Sequence, residues 1–107
     1  MSETSITHKR GDSLDLLAAI PSAFADGHFS DWSVSAQVRT DNDQLVANLH
    51  VQWIDPLTTR TLRLQCIDTR AWKPGRANFD IELRRPDGYT ISTATVVIYV
   101  VKDVTRD

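Results

Sequence analysis

In the stretch Trp32-Ser33-Val34-Ser35-Ala36-Gln37-Val38-Arg39, apolar and polar residues alternate without a fault. Side chains of a β-strand point alternately to opposite faces, so this period of two predicts a strand with one face in a core and the other in water. Asp41-Asn42-Asp43 supplies turn chemistry. Leu45, Ala47, Leu49, Val51 and Trp53 then alternate with Asn48, His50 and Gln52 in a second long strand, which makes a hairpin with the first. Asp55-Pro56-Leu57 ends it, because Pro has no N–H for a ladder. Leu62, Leu64 and Cys66 alternate with Thr61, Arg63 and Gln65 in the next strand, which puts Cys66 on its buried face.

The rest of the chain is punctuated in the same way. Asp68 to Trp72 reads as one helical turn capped by Asp68, and Lys73-Pro74-Gly75-Arg76 as a type II turn. Phe79, Ile81 and Leu83 alternate with Asp80, Glu82 and Arg84. Pro86 and Gly88 then stand where a hairpin turn wants them. Tyr89 to Val101 reads as the longest strand, and from Val96 onward it is apolar on both faces, which predicts a double cover or completion by another molecule. At the start, Ser5 to Lys9 and Ser13 to Leu16 read as extended, with Arg10-Gly11-Asp12 as a tight reversal between them. Leu14 to Ala25 fits either a helix or a buried strand, and Pro21 stops both. About seven short strands with no long helix predict a small antiparallel sandwich. Its core should hold Trp32, Val34, Ala36, Val38, Leu49, Val51, Leu62, Leu64, Phe79, Ile81 and Leu83.

A chain of 107 residues is one domain on size alone, residues 1–107, and long enough for a real core. Apolar residues at 41% and charged residues at 24% are globular values, and no apolar run reaches the length of a membrane span. The N-terminus lacks a basic-then-apolar signal pattern, so a cytoplasmic location is expected. Cys66 is the single cysteine, which excludes an internal disulfide and a cysteine-based metal site. A net charge of -2 gives no general pull toward nucleic acid.

Few residues offer chemistry. His8, His28 and His50 have no metal-spaced partner and read as solvated imidazoles. Asp41 and Asp43 resemble the start of a calcium loop, but no Gly follows at the sixth position and Gln52 holds the twelfth, so turn residues are the better reading. A nucleophile elbow and a phosphate-cradling loop are absent, and no catalytic, metal or cofactor residue is assigned. Arg39, Arg63 and Arg84 all point to outer sheet faces, and Asp80 and Glu82 lie beside Arg84 on the same face, which predicts a neutralised surface rather than a basic stripe. Trp32 and Trp53 fall in the inward register, while Trp72 at the corner is the tryptophan left for a ligand. The tripeptide Arg10-Gly11-Asp12 is an integrin signal in adhesion proteins. Chance places it in roughly one chain in fifty of this length, so it reads as a turn.

The stretches "ITHKRGDSLDL", "DWSVSAQVRT", "AWKPGRANFDIELRRPDG" and "STATVVIYVVKDVTR" span nearly the whole chain. Their order resembles a family of small phage and prophage tail-associated domains, similar to the N-terminal domain of baseplate upper proteins. That resemblance implies an immunoglobulin-like sandwich in which Arg10, Gly11 and Asp12 form the first hairpin turn, and Pro74, Gly75, Pro86 and Gly88 mark later turns. It implies a non-enzymatic structural subunit of a tail, baseplate or head-tail region, without cofactor. Its partners would be other phage structural proteins and itself, and neither nucleic acid nor membrane. It would be found in the bacterial cytoplasm during assembly and in the virion afterwards. Those baseplate proteins continue into a helical stalk, and this chain does not, which favours a separate small subunit. Val96, Ile98 and Val100 are the expected interface. The alternative is a carbohydrate-binding or adhesion module using Trp72 and the nearby loops.

Overall fold

The computed structural model describes residues 4–93 and 95–102. Ala94 and the last four residues of the closing family-like stretch lie outside them. Nine strands are formed among the described residues: β1 (Thr4–Lys9), β2 (Leu14–Ala19), β3 (Ser33–Thr40), β4 (Leu45–Trp53), β5 (Thr61–Cys66), β6 (Gly75–Phe79), β7 (Ile81–Arg84), β8 (Thr90–Ser92) and β9 (Val96–Val101). The described residues contain no helix, so the fold is all-β. Leu14 onward is a strand, and Asp68 to Trp72 is a turn closed by the Trp72 N–H on the Thr69 carbonyl (3.0 Å), not a helical turn.

The pairing order is β1-β9-β6-β3-β4-β5-β2, with β7 and β8 extending the hairpin beside β3. β4 joins the two halves of this nearly closed sheet: its first residues pair with β3, and His50 to Trp53 pair with β5. Two sequence-based expectations are corrected here. The sheet is mixed rather than antiparallel, because β1 runs parallel to β9, with Thr4 opposite Val96 and Lys9 opposite Val101. And Arg10-Gly11-Asp12 is not a hairpin turn, since β1 and β2 sit at the two ends of the strand order. It is a crossover from one end of the sheet to the other.

Most of the expected core is buried, including Ala36, Val38, Leu49, Leu62, Leu64, Phe79, Ile81 and Leu83, while Trp32, Val34 and Val51 are half-buried around it. Alternation fails at one place in β4. The register shifts between Val38↔Ala47 and Arg39↔Leu45, so Val46 is an extra residue on that strand. The bulge turns Val46 toward the core and leaves Leu45 49% exposed.

A second slip breaks the run from Tyr89 to Val101 into two strands. β8 pairs with β7 (Leu83↔Ile91), β9 pairs with β6 (Phe79↔Val96), and the register between them moves by one residue. β9 is therefore hydrogen-bonded on both edges, to β1 and β6. Ile98 is fully buried and Val100 nearly so, with Val96 packed against the same core. The expected interface at Val96, Ile98 and Val100 is thus interior, because the face these three share packs on the core, while Tyr99 and Val101 on the other face are exposed.

Candidate functional site

Strand directions place the connections after β1, β3 and β5 at one end of the molecule, and those after β2, β4 and β7 at the other. The first end holds most of the sequence-predicted turns. Gly11 has φ 98°, the Gly11 N–H donates to Thr69 Oγ1 (2.9 Å), and Thr69 Oγ1 donates to the Asp12 carbonyl (2.6 Å). His8 Nε2 lies 2.9 Å from the same carbonyl and 3.2 Å from Thr69 Oγ1. A carbonyl only accepts, so Nε2 carries the proton. Trp72 closes the cluster over the His8 ring, with centroids 5.6 Å apart. At 3% exposure Trp72 is the most deeply buried tryptophan and presents no face to a sugar, which corrects the ligand role the sequence left open for it. Pro74 leads into Gly75, the first residue of β6. The Arg10-Gly11-Asp12 turn is held by buried groups behind it, as a structural corner is.

The opposite end is richer in exposed recognition chemistry. It is built from residues 20–32, residues 54–60 and the β7–β8 turn. Phe29, 2% exposed, anchors the first loop: its N–H donates to Thr59 Oγ1 (3.3 Å), and Phe24, His28 and Trp32 pack around its ring at centroid distances of 5.1, 4.6 and 4.9 Å. Gly27 has φ 79° and donates its N–H to the Thr58 carbonyl (2.7 Å). A Cβ there would stand 3.1 Å from the Leu57 carbonyl. Arg60 ties the loop from below, donating to the carbonyls of Ile20 and Pro21 (2.8 Å each) and of Phe24, with Asp26 at 3.3 Å. The loop is preorganised.

On this platform stand the exposed groups. Tyr89, 55% exposed, meets Trp32 edge-on at 6.2 Å. The Arg85 guanidinium lies 4.7 Å from the Tyr89 ring centre and 5.9 Å from that of Trp32. Asp87 holds Arg85 by two bonds of 2.8 and 2.9 Å and accepts the Tyr89 N–H. Those bonds, Arg85 first, hold the Asp87 carboxyl down to about 2. The Gly88 N–H closes the turn on the Arg85 carbonyl (2.8 Å), so Pro86 and Gly88 act as the sequence predicted. Leu57, 83% exposed, projects from the neighbouring loop. Tyr, Trp and Arg are among the residue types that dominate protein interfaces.

A second feature is an open polar cleft of about 680 Å³ on the outer face of β3, β4 and β6–β7. Its groups largely satisfy one another: Arg39 donates to Gln37 Oε1 (2.8 Å) and to the Asp43 carbonyl (2.9 Å), and Gln37 donates to Asn48 (2.9 Å). The basic residues of the outer faces are paired, Arg39 with Asp43, Arg63 with Asp15 and Arg84 with Glu82, as a neutralised surface requires. Asp41 is engaged by Asn78 and Arg76. No group of three or more His, Cys, Asp or Glu among the described residues is placed to hold a metal ion. Cys66 is half-buried rather than core, and desolvation pushes its thiol up. No helix among the described residues is long and apolar enough to cross a membrane.

No known family's sequence pattern matches the chain, and no curated protein matches it. Solved structures do. CopC from Methylosinus trichosporium OB3b superposes with a TM-score of 0.51 at 11% identity, over 100% of this chain and 91% of CopC. A family 123 glycoside hydrolase from Clostridium perfringens, described for glycolipid glycan hydrolysis, gives 0.58 at 14% identity. That match covers 94% of this chain but 23% of the hydrolase, so it concerns one part of a much longer protein. At such identities the likeness is one of all-β fold alone.

Proposed function

We propose that this chain is a non-enzymatic structural subunit of a phage or prophage particle, in its tail, baseplate or head-tail region. It would be an immunoglobulin-like domain that acts through protein contacts at the aromatic loop end. The observation that carries the contact surface is the exposed Arg85–Tyr89 pair, set against the half-buried Trp32 above a loop that Phe29 and Arg60 hold in place. Preordered aromatic and Arg side chains lose little entropy on docking. The phage context is supported by the family resemblance of the stretches around Gly11, Trp32, Trp72 and the closing strand. The test is to induce particles in the host that carries the gene, purify them, and quantify the chain by mass spectrometry. A fixed ratio to tail proteins is expected, reduced by Tyr89→Ala combined with Leu57→Ala while the free protein stays folded. Particles that lack the chain would overturn the reading.

The second reading, a carbohydrate-binding module, shifts from Trp72 to Tyr89, whose exposed ring is the sort of face on which sugars stack. A glycan array with the parent and Tyr89→Ala separates the two. Selective glycan signal that vanishes in the variant supports this reading against the first.

A further inference from the structure

The strand order ends on β1 and β2, and the two differ as edges. β1 is mostly polar, Thr-Ser-Ile-Thr-His-Lys, and closes on a lysine. β2 is Leu-Asp-Leu-Leu-Ala-Ala. Proteins blunt edge strands with Lys, Pro, bulges or brevity, and β2 has none of these. It pairs with β5 over six residues in unbroken register, and its one charge, Asp15, is neutralised by Arg63 through bonds of 2.9 and 2.6 Å.

The ladder fixes which backbone groups are free. The Ile20 N–H donates to the Arg60 carbonyl (2.8 Å), continuing the β2–β5 pairing. Antiparallel alternation then turns the backbone groups of Leu14, Leu16 and Ala18 toward β5, and those of Asp15, Leu17 and Ala19 away from it. No described strand takes the latter. The Leu17 side chain, on the outer face, is 68% exposed.

We propose that this edge pairs antiparallel with the same edge of a second copy of the chain, about a two-fold axis at Leu17, making one continuous sheet across a dimer. Residues opposite each other must share a face, so the axis passes through a residue rather than between two. At Leu17 it sets Asp15 opposite Ala19 of the second copy, Leu16 opposite Ala18, and Leu17 opposite itself. On the inner face Leu16 meets Ala18 and Leu14 meets Ile20, all apolar, the exposed leucines cover each other, and no carboxylate meets its copy. The outward-turned residues Asp15, Leu17 and Ala19 are then the hydrogen-bonded ones. An isologous pairing of this kind closes and stops at two. It does not depend on the particle reading or on the loop end.

Sedimentation equilibrium on the full chain is expected to show a concentration-dependent monomer–dimer equilibrium. Leu17→Lys, which brings two ammonium groups together at the axis, and Ala19→Pro, which removes a donor that β5 does not use, are expected to be monomers with unchanged circular dichroism. Should either fail to fold, Leu17→Cys in a Cys66→Ser background decides. Opposed hydrogen-bonded residues have Cα atoms about 5.5 Å apart, within disulfide reach, so oxidation yields a covalent dimer, while Tyr99→Cys on β9 does not. A parent monomeric up to millimolar concentration, or a dimer indifferent to both edge variants, overturns the proposal. So does a monomeric parent whose Leu17→Lys variant drops out of particles, which would give the edge to a different subunit.

Discussion

Thr69 shows how much one buried hydroxyl can organise. It is fully buried, and through it the Gly11 N–H, the Asp12 carbonyl and the His8 ring are all satisfied. Thr69→Val keeps the shape but strands the Gly11 N–H, while His8 Nε2 and the Asp12 carbonyl keep each other, so it is expected to cost about 1–3 kcal/mol in chemical denaturation. Gly11→Val is expected to cost about 1 kcal/mol or more, because φ 98° is unfavourable for any residue with a Cβ, although the nearest atom to that Cβ is 4.0 Å away. Asp12→Glu, which changes only an exposed side chain, should be nearly neutral. The Gly at this turn was legible in the sequence, and its partner at position 69 was not. A hydrogen bond across 58 residues leaves no local pattern.

The elements that carry the candidate site follow the same division. Pro86 and Gly88 announced the β7–β8 turn, since a tight reversal constrains a few adjacent residues. Phe24, His28 and Phe29 gave no period, and they became a platform only when residues 54–60 met them. Phe29→Ala is expected to lose about 3–5 kcal/mol and to loosen the loop, seen as faster hydrogen exchange at Gly27 and Trp32. Asp87 provides a pH test. Its carboxyl sits at about 2 in the folded chain against an ordinary 3.8, so its contribution is complete above the ordinary value and disappears as pH falls from 3.8 through about 2. The Tyr89 amide, which bonds to Asp87 Oδ1, should therefore titrate in NMR with a midpoint near 2, and Asp87→Asn should abolish that transition.

At the scale of the molecule, β9 is the strand whose meaning changed most. Taken alone, its apolar run looks like a surface awaiting a partner. In the sheet it has β1 on one edge and β6 on the other, and the core beneath Ile98 and Val100. Ile98→Lys is accordingly expected to prevent folding, because it buries a charge without a partner, whereas Tyr99→Lys, at an exposed position, should keep the parent's circular dichroism and most of its stability. The parallel β1–β9 pair joins the two ends of the described chain, which makes folding depend on distant contacts. Refolding in stopped flow is expected on the millisecond-to-second scale of all-β domains.

The alternation of apolar and polar residues determined, from sequence alone, the all-β class, most strand positions and the inward identity of Val38, Leu64 and Ile81. That information is local, because the two-residue period is set by the covalent geometry of an extended chain. Tertiary structure alone decided that β1 runs parallel to β9, that Val46 bulges and turns Leu45 outward, that Trp72 is the buried tryptophan, and that β2 rather than β9 is an open edge. A strand's sequence states which face wants to leave water. Which neighbour takes its backbone groups depends on how all the strands share one core, and no stretch of residues holds that answer by itself.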